Sequence, residues 1–178
     1  MARRGIALVY GGGRLGLMGE VASSVLSGGG DVIGVIPRGL AVKEVTFSEL
    51  ADLRVVDTMH ERKALMAELA DGFITLPGGF GTLEETFEAL TWGQLGLHRK
   101  PCGLLNVAGF YDGLVHFLDY ALAQSFIQPM HRSLVLEHDR PEALLDLLEA
   151  YQPPVVDKIA WAVEQARRGS LDTPAGEL

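Results

Sequence analysis

Residues 75–85 read Thr75-Leu76-Pro77-Gly78-Gly79-Phe80-Gly81-Thr82-Leu83-Glu84-Glu85. The stretch leaves a short apolar run, turns on one proline and three glycines, and opens a segment of helical period with two carboxylates. A strand, a glycine turn and a helix in that order form the repeating unit of parallel α/β folds, whose ligands bind beyond the C-terminal ends of the strands. Glycines let backbone N–H groups approach an anion closely, and the start of a helix adds its free amides and macrodipole. A capping box, Thr82 with Glu85, accounts for two of these residues; it leaves the glycines of the loop unexplained. Two acids beside an anion site make sense for a bipolar ligand. A nucleoside monophosphate is one: its phosphate is anionic, and its ribose becomes cationic, oxocarbenium-like, as the glycosidic bond breaks. Amides hold the first, and a carboxylate stabilises the second or activates water against it.

Outward from this stretch, short β-branched runs alternate with segments of helical period. The pattern predicts strands at Ile6 to Tyr10, Asp31 to Ile36, Leu53 to Val56, Phe73 to Leu76, Cys102 to Asn106 and Leu134 to Leu136. It predicts helices at Leu17 to Ser27, Thr58 to Ala70, Thr82 to Leu95, Tyr111 to Gln124 and Pro141 to Ala150. Nearly continuous apolar strands separated by helices imply an α/β fold, a Rossmann-like parallel sheet with helices on both faces. Residues 1–151 are expected to form one nucleotide-binding domain and 152–178 a C-terminal extension, with a helix expected over Val155 to Arg168 and a disordered tail after it. The apolar stripe of Leu114, Phe117, Leu118 and Leu122 reads as core or dimer interface.

The 178 residues are 48% hydrophobic, enough for one sizeable core. A net charge of −8, with no Lys/Arg block, argues against a nucleic-acid surface. The lone cysteine, Cys102, cannot form an internal disulfide and fits a reducing cytoplasm. Neither a membrane span nor a signal peptide is visible in the first residues. The five histidines lack metal-ligand spacing, so no metal is expected.

A second glycine cluster, Gly11-Gly12-Gly13-Arg14-Leu15-Gly16, satisfies G-x-G-x-x-G between a strand and a helix. The dinucleotide reading also wants an acid at the end of the next strand, but Asp31 stands at its beginning. A mononucleotide or sugar-phosphate site at Gly11, Gly12 and Gly13 fits better. The structural alternative is a tight turn with close helix–strand packing. Met59-His60-Glu61-Arg62-Lys63 then places two cations in the first turns of a helix, against the macrodipole. They suit a departing base; the alternative is a solvated helix start offset by Glu61.

Taken together, GGGRLGLMG, MHERK and PGGFGTLEE, in this order, resemble the Lonely Guy (LOG) family of cytokinin riboside 5′-monophosphate phosphoribohydrolases, with similarity from about Gly5 to Tyr151. The resemblance implies a Rossmann-like homodimer that hydrolyses the N-glycosidic bond of adenine-type nucleoside 5′-monophosphates. It implies Arg62 and Glu85 as the catalytic pair. Met59 and Lys63 would contact the nucleotide, and Gly79, Phe80, Gly81 and Thr82 would cradle phosphate and ribose, with Glu84 beside them. Glu44 matches a substrate-contacting acid, or is an exposed loop charge. The same fold without turnover, a nucleotide-binding module, is the alternative. Relatives are often labelled lysine decarboxylase. A pyridoxal phosphate enzyme needs a Schiff-base lysine, and none of the four lysines here follows a cofactor-binding pattern; no cofactor is expected. Family members usually begin with a further strand, a Gly/Ser loop and a helix before VYGGG. This chain starts almost at that second strand, so the fold is expected to lack the family's first strand–helix unit, a strand normally inside the sheet.

Overall fold

The computed structural model describes residues 1–41 and 50–154. In chain order the elements are β1 (Leu8–Tyr10), α1 (Gly16–Ser27), β2 (Val32–Pro37), α2 (Arg38–Ala41), β3 (Asp52–Val56), α3 (Met59–Leu69), β4 (Phe73–Thr75), α4 (Phe80–Gln94), β5 (Cys102–Leu105), α5 (Asp112–Ala123), α6 (Pro129–Arg132), β6 (Val135–His138) and α7 (Pro141–Glu149). Two 3₁₀ turns, Ala2–Arg4 and Val107–Gly109, complete the described chain. Glu44 and the expected helix over Val155 to Arg168 lie outside the described residues.

All strands run parallel, as the β–α alternation requires, but the ladder is divided. One three-stranded sheet has the order β1-β2-β3 and another the order β4-β5-β6. Tyr10 pairs with Gly34, Val35 with Arg54, Thr75 with Leu104, and Leu105 with His138. The parallel arrangement expected from the sequence is thus present as two ladders, with β1 and β4 at their edges; Leu8, Val9 and Phe73 are only half-buried.

Side-chain alternation along the strands shows how helices cover both faces. On β2, Val32 joins Tyr10, Ala22, Val25 and Leu50 in a core beneath α1. Val35, fully buried, points the other way, towards α3. On β5, Gly103 faces Leu144 and Leu148 at α7, while Cys102 faces a cavity of about 230 Å³ bounded by Leu90 and Gly93 of α4. Burial pushes the Cys102 thiol up to about 12, so it is a packing residue rather than a nucleophile.

Side chains tie the two ladders together. The Arg4 guanidinium donates to Asp146 Oδ1 at 2.7 Å and to the Glu142 carbonyl at 3.2 Å, joining the N-terminal turn to α7. Lys100, just before β5, donates to the Ala67 carbonyl at 2.6 Å and to the Glu68 carbonyl at 3.4 Å, capping the C-terminal end of α3. A cation there complements the helix dipole. The predicted stripe on α5 splits: Leu118 is core, whereas Phe117 is exposed.

Gly103 gives a test of this packing. A β-carbon there would stand 2.9 Å from Leu144 Cδ1 and 3.2 Å from Leu148 Cδ1. Gly103→Val is expected to cost about 1–3 kcal/mol of stability by overpacking, read as a lower urea midpoint. Gly113→Ala, where the same atom meets open space in α5, should stabilise by about 0.5–1 kcal/mol.

Candidate active site

Two helix starts and one glycine turn meet at the C-terminal edge of the strands. At α3, Thr58 is the N-cap: its hydroxyl accepts the Glu61 N–H at 3.1 Å, and Glu61 Oε2 accepts the Asp57 N–H at 2.9 Å. The amides of this helix start are thus partly satisfied by the chain itself. At α4 the situation is opposite. The helix begins at Phe80, with Gly79 as N-cap, no side-chain cap and no acid in its first turn. The first intrahelical bond is Leu83 N–H to the Gly79 carbonyl, 3.0 Å. The Phe80, Gly81 and Thr82 amides therefore precede the ladder of the helix and are free to receive an anion.

This start corrects the expectation of a helix from Thr82. Thr82 is the third residue of α4, so the capping box drawn from the sequence does not form. Its hydroxyl instead folds back against Gly78, whose missing β-carbon leaves the room. A chain of hydroxyls fixes the end of the loop. Thr86 Oγ1 donates to the Thr82 carbonyl at 2.7 Å, which uses its only hydrogen. Thr75 Oγ1 must then be the donor in its 2.9 Å bond to Thr86 Oγ1.

Arg62 and Glu85 are in direct contact: Arg62 Nη1 donates to Glu85 Oε1 at 2.9 Å. The rest of the guanidinium is held as well. Its Nε donates to the Val35 carbonyl at 3.3 Å, and Nη1 also lies 3.1 Å from Met59 Sδ. Nη2 rests against Gly11, at a place that any β-carbon would occupy. Arg62 is thus anchored by the ends of β1 and β2 and by α4, its side chain 11% exposed. The Nη2 hydrogens and Glu85 Oε2 make no hydrogen bond among the described residues. Among the described residues, the Tyr10 hydroxyl is the side-chain polar atom that is both buried and unpartnered.

Lys63 points to the same helix. Its ammonium donates to Glu84 Oε1 at 2.6 Å and to Glu88 Oε1 at 3.0 Å, with the side chain 10% exposed. The solvated helix start that the sequence also permitted is therefore absent: both cations of MHERK are drawn onto the acids of α4. Glu84 accordingly braces α3 against α4. Phe80 stands at the mouth of the loop, 94% exposed, and Met59 is half in solvent.

The other glycine cluster has a packing role that its motif did not reveal. Gly11 accommodates Arg62, and Gly12, at φ +71°, lies against Ile36 and Leu53. Gly13 is half-buried beside Met18. No group of three or more His, Cys, Asp or Glu side chains able to hold a metal occurs among the described residues, and no helix there is long and apolar enough to cross a membrane.

Comparison with known proteins follows the same stretches. A family model described as "Possible lysine decarboxylase" matches residues 18–148. The chain is 54% identical over 153 residues to a protein of Oryza sativa subsp. japonica named "Probable cytokinin riboside 5′-monophosphate phosphoribohydrolase LOGL9", covering 86% of this chain and 67% of that protein. It is 48% identical over 164 residues to the Arabidopsis thaliana cytokinin riboside 5′-monophosphate phosphoribohydrolase LOG7, covering 90% and 76% respectively. A second rice protein, named probable phosphoribohydrolase LOGL5, is 45% identical over 185 residues, covering the whole of this chain and 75% of its own length.

The Lys63 brace has a pH signature. Hydrogen bonds to Glu84, and next to Glu88, hold the Lys63 ammonium above its ordinary range. An unfolded lysine titrates near about 10.4. The stabilisation is thus fully present below that value and is lost as the pH rises through the folded one. The gap in urea stability between the wild type and Lys63→Met should be constant from pH 7 to 9 and narrow above about pH 10.4.

Proposed function

The chain belongs to the Lonely Guy (LOG) family, and on that premise we propose that it is a phosphoribohydrolase, splitting the N-glycosidic bond of a purine nucleoside 5′-monophosphate into free base and ribose 5-phosphate. One observation carries the reading. A fixed cation of α3 and a carboxylate of α4 in contact, Arg62 and Glu85, stand beside the uncapped start of α4. Glu85 lies about 5 Å along the axis from Thr82, the span of a ribose between its 5′-phosphate and C1′.

In this reading the 5′-phosphate takes the amides of Gly79, Phe80, Gly81 and Thr82. The ribose lies over the first turn of α4, and C1′ comes to Glu85 Oε2. As the bond to the base breaks, its electron pair leaves with the base nitrogen and positive charge spreads over C1′ and the ring oxygen. The carboxylate stabilises that charge and orients a water for attack at C1′; the proton given up by the water ends on the base. A guanidinium remains charged throughout the working range, so Arg62 assists through the two Nη2 hydrogens, donated to the departing base, rather than by giving up a proton. Repulsion between phosphate and Glu85 is a ground-state cost that the transition state reverses.

The lysine chemistry suggested by the family model's description has less support. Lys63 is committed to Glu84 and Glu88, and Lys100 to the carbonyls that end α3; Lys43 and Lys158 lie outside the described residues. The relatives of 54% and 48% identity are named for the phosphoribohydrolase reaction. A buried thiol held protonated accords with a place in a reducing cytoplasm. The working unit in this reading is a homodimer, supported by the exposed aromatic side chains Phe117, Tyr120 and Phe126 on and just after α5.

Incubation of the protein with AMP and with a prenylated adenosine monophosphate, followed by chromatography, should show free base appearing with ribose 5-phosphate in equal amounts. Tight nucleotide binding without base release would favour the binding-module alternative. Glu85→Gln and Arg62→Ala should each reduce turnover by at least about a hundredfold, measured on variants shown by circular dichroism to be folded. For the assembly, sedimentation should give twice the chain mass, falling to one chain in Phe117→Glu/Phe126→Glu.

A further inference from the structure

The loop between β4 and α4 is fixed at its far end by Thr86, which holds the Thr82 carbonyl. Its near end poses a separate problem. The β4–β5 ladder stops at the pair Thr75 and Leu104, so the Leu76 carbonyl, the last before Pro77-Gly78-Gly79, has no sheet partner. Its partner comes from elsewhere: the Tyr111 hydroxyl donates to it at 2.6 Å. Tyr111 is 2% exposed, among the largest fully buried side chains of the described chain.

Local structure aims this phenol. The strand β5 runs on to Asn106, whose N–H reaches the His138 carbonyl at 2.9 Å. The chain then reverses through Ala108, at φ 52°, and Gly109, at φ 71°. A left-handed alanine is held only where its surroundings demand it. The demand here is a closed ring of bonds: Asn106 Oδ1 accepts the Tyr111 N–H at 2.7 Å, and Asn106 Nδ2 donates to Asp112 Oδ1 at 2.8 Å. Phe110 stacks edge-on against the Tyr111 ring, with centroids 4.9 Å apart. Asn106 thereby sets the first residues of α5, and α5 sets the ring beneath the end of β4. Burial also raises the phenol's pKa, so it remains a donor at neutral pH.

We propose that Tyr111 is a positioning residue for the anion-receiving loop: its hydroxyl replaces the missing sheet partner of Leu76 and so fixes where the amides of Gly79 to Thr82 stand. Tyr111 is too deeply buried to touch a ligand. Its effect passes through the backbone of the loop, between one clamp at Leu76 and another at Thr82. The inference rests on the phosphoribohydrolase reading for its kinetic consequence, but not for its structural one.

The test is Tyr111→Phe, which keeps the ring and removes the donor. Hydrogen exchange should quicken about tenfold at the Leu83 amide, whose bond to the Gly79 carbonyl closes the loop, while the amides of α5 keep their protection. In the same variant the KM for AMP and the inhibition constant of ribose 5-phosphate should rise about tenfold, with kcat changed less than threefold. Unchanged loop exchange, or protection lost along all of α5, overturns the proposal. If the phenylalanine variant does not fold, Asn106→Ala, which keeps the phenol but releases its aim, must show the same local exchange increase, and failure there overturns it equally. A wild type that releases no base, combined with faster loop exchange in the variant, refutes the phosphoribohydrolase reading and leaves the positioning role standing.

Discussion

The structure depends on where the Arg62 guanidinium is held. Its Nε takes the Val35 carbonyl, its Nη1 takes Glu85, and its Nη2 lies on Gly11. These contacts come from β2, α4 and the end of β1, elements of both ladders, and α3 is the arm that delivers them. A buried cation without partners would be costly. Here the cost is offset by a carbonyl, a carboxylate and a glycine that leaves space for the planar group. Lys63 repeats the arrangement one residue on, with Glu84 and Glu88. The two acids of the PGGFGTLEE stretch thus separate by partner. Glu84 serves the lysine, and Glu85 serves the arginine with one oxygen and keeps the other free.

Much of this was legible in the sequence, for reasons that can be stated. Strand positions followed from short β-branched runs and helix positions from hydrophobic period. The glycine loop followed from residue chemistry, since a capping box alone leaves three glycines unexplained. The contact between Arg62 and Glu85 was implied by family likeness rather than derived, and geometry alone could show that they touch. Glu44, the remaining expected contact, falls outside the described residues.

What the sequence concealed has physical causes too. The start of α4 was misplaced by two residues because Thr82 looks like a cap, whereas glycine at 79 serves as N-cap and the threonine folds back on Gly78. The one-turn helices α2 and α6 are too short for any period to show. The G-x-G-x-x-G spacing left both ligand contact and close packing open, and Gly11 and Gly12 do pack closely, against Arg62 and against Ile36 and Leu53. Sequence spacing cannot distinguish a backbone bared for a phosphate from one bared for a neighbouring guanidinium. The hydroxyl bond from Tyr111 to Leu76 spans 35 positions and leaves no local trace; an isolated tyrosine ahead of a helix looks like any core aromatic.

Helix α3 is fastened at both extremities, by Thr58 and Glu61 where it starts and by Lys100 where it stops. A rod secured in this way can neither slide along its axis nor unwind from its tip without breaking charge-assisted bonds. The cation it presents is consequently aimed before any guest arrives, and binding need not spend free energy on aiming it. Lys100 holds the opposite end of α3 from the turn that carries Arg62, yet it shares responsibility for that readiness.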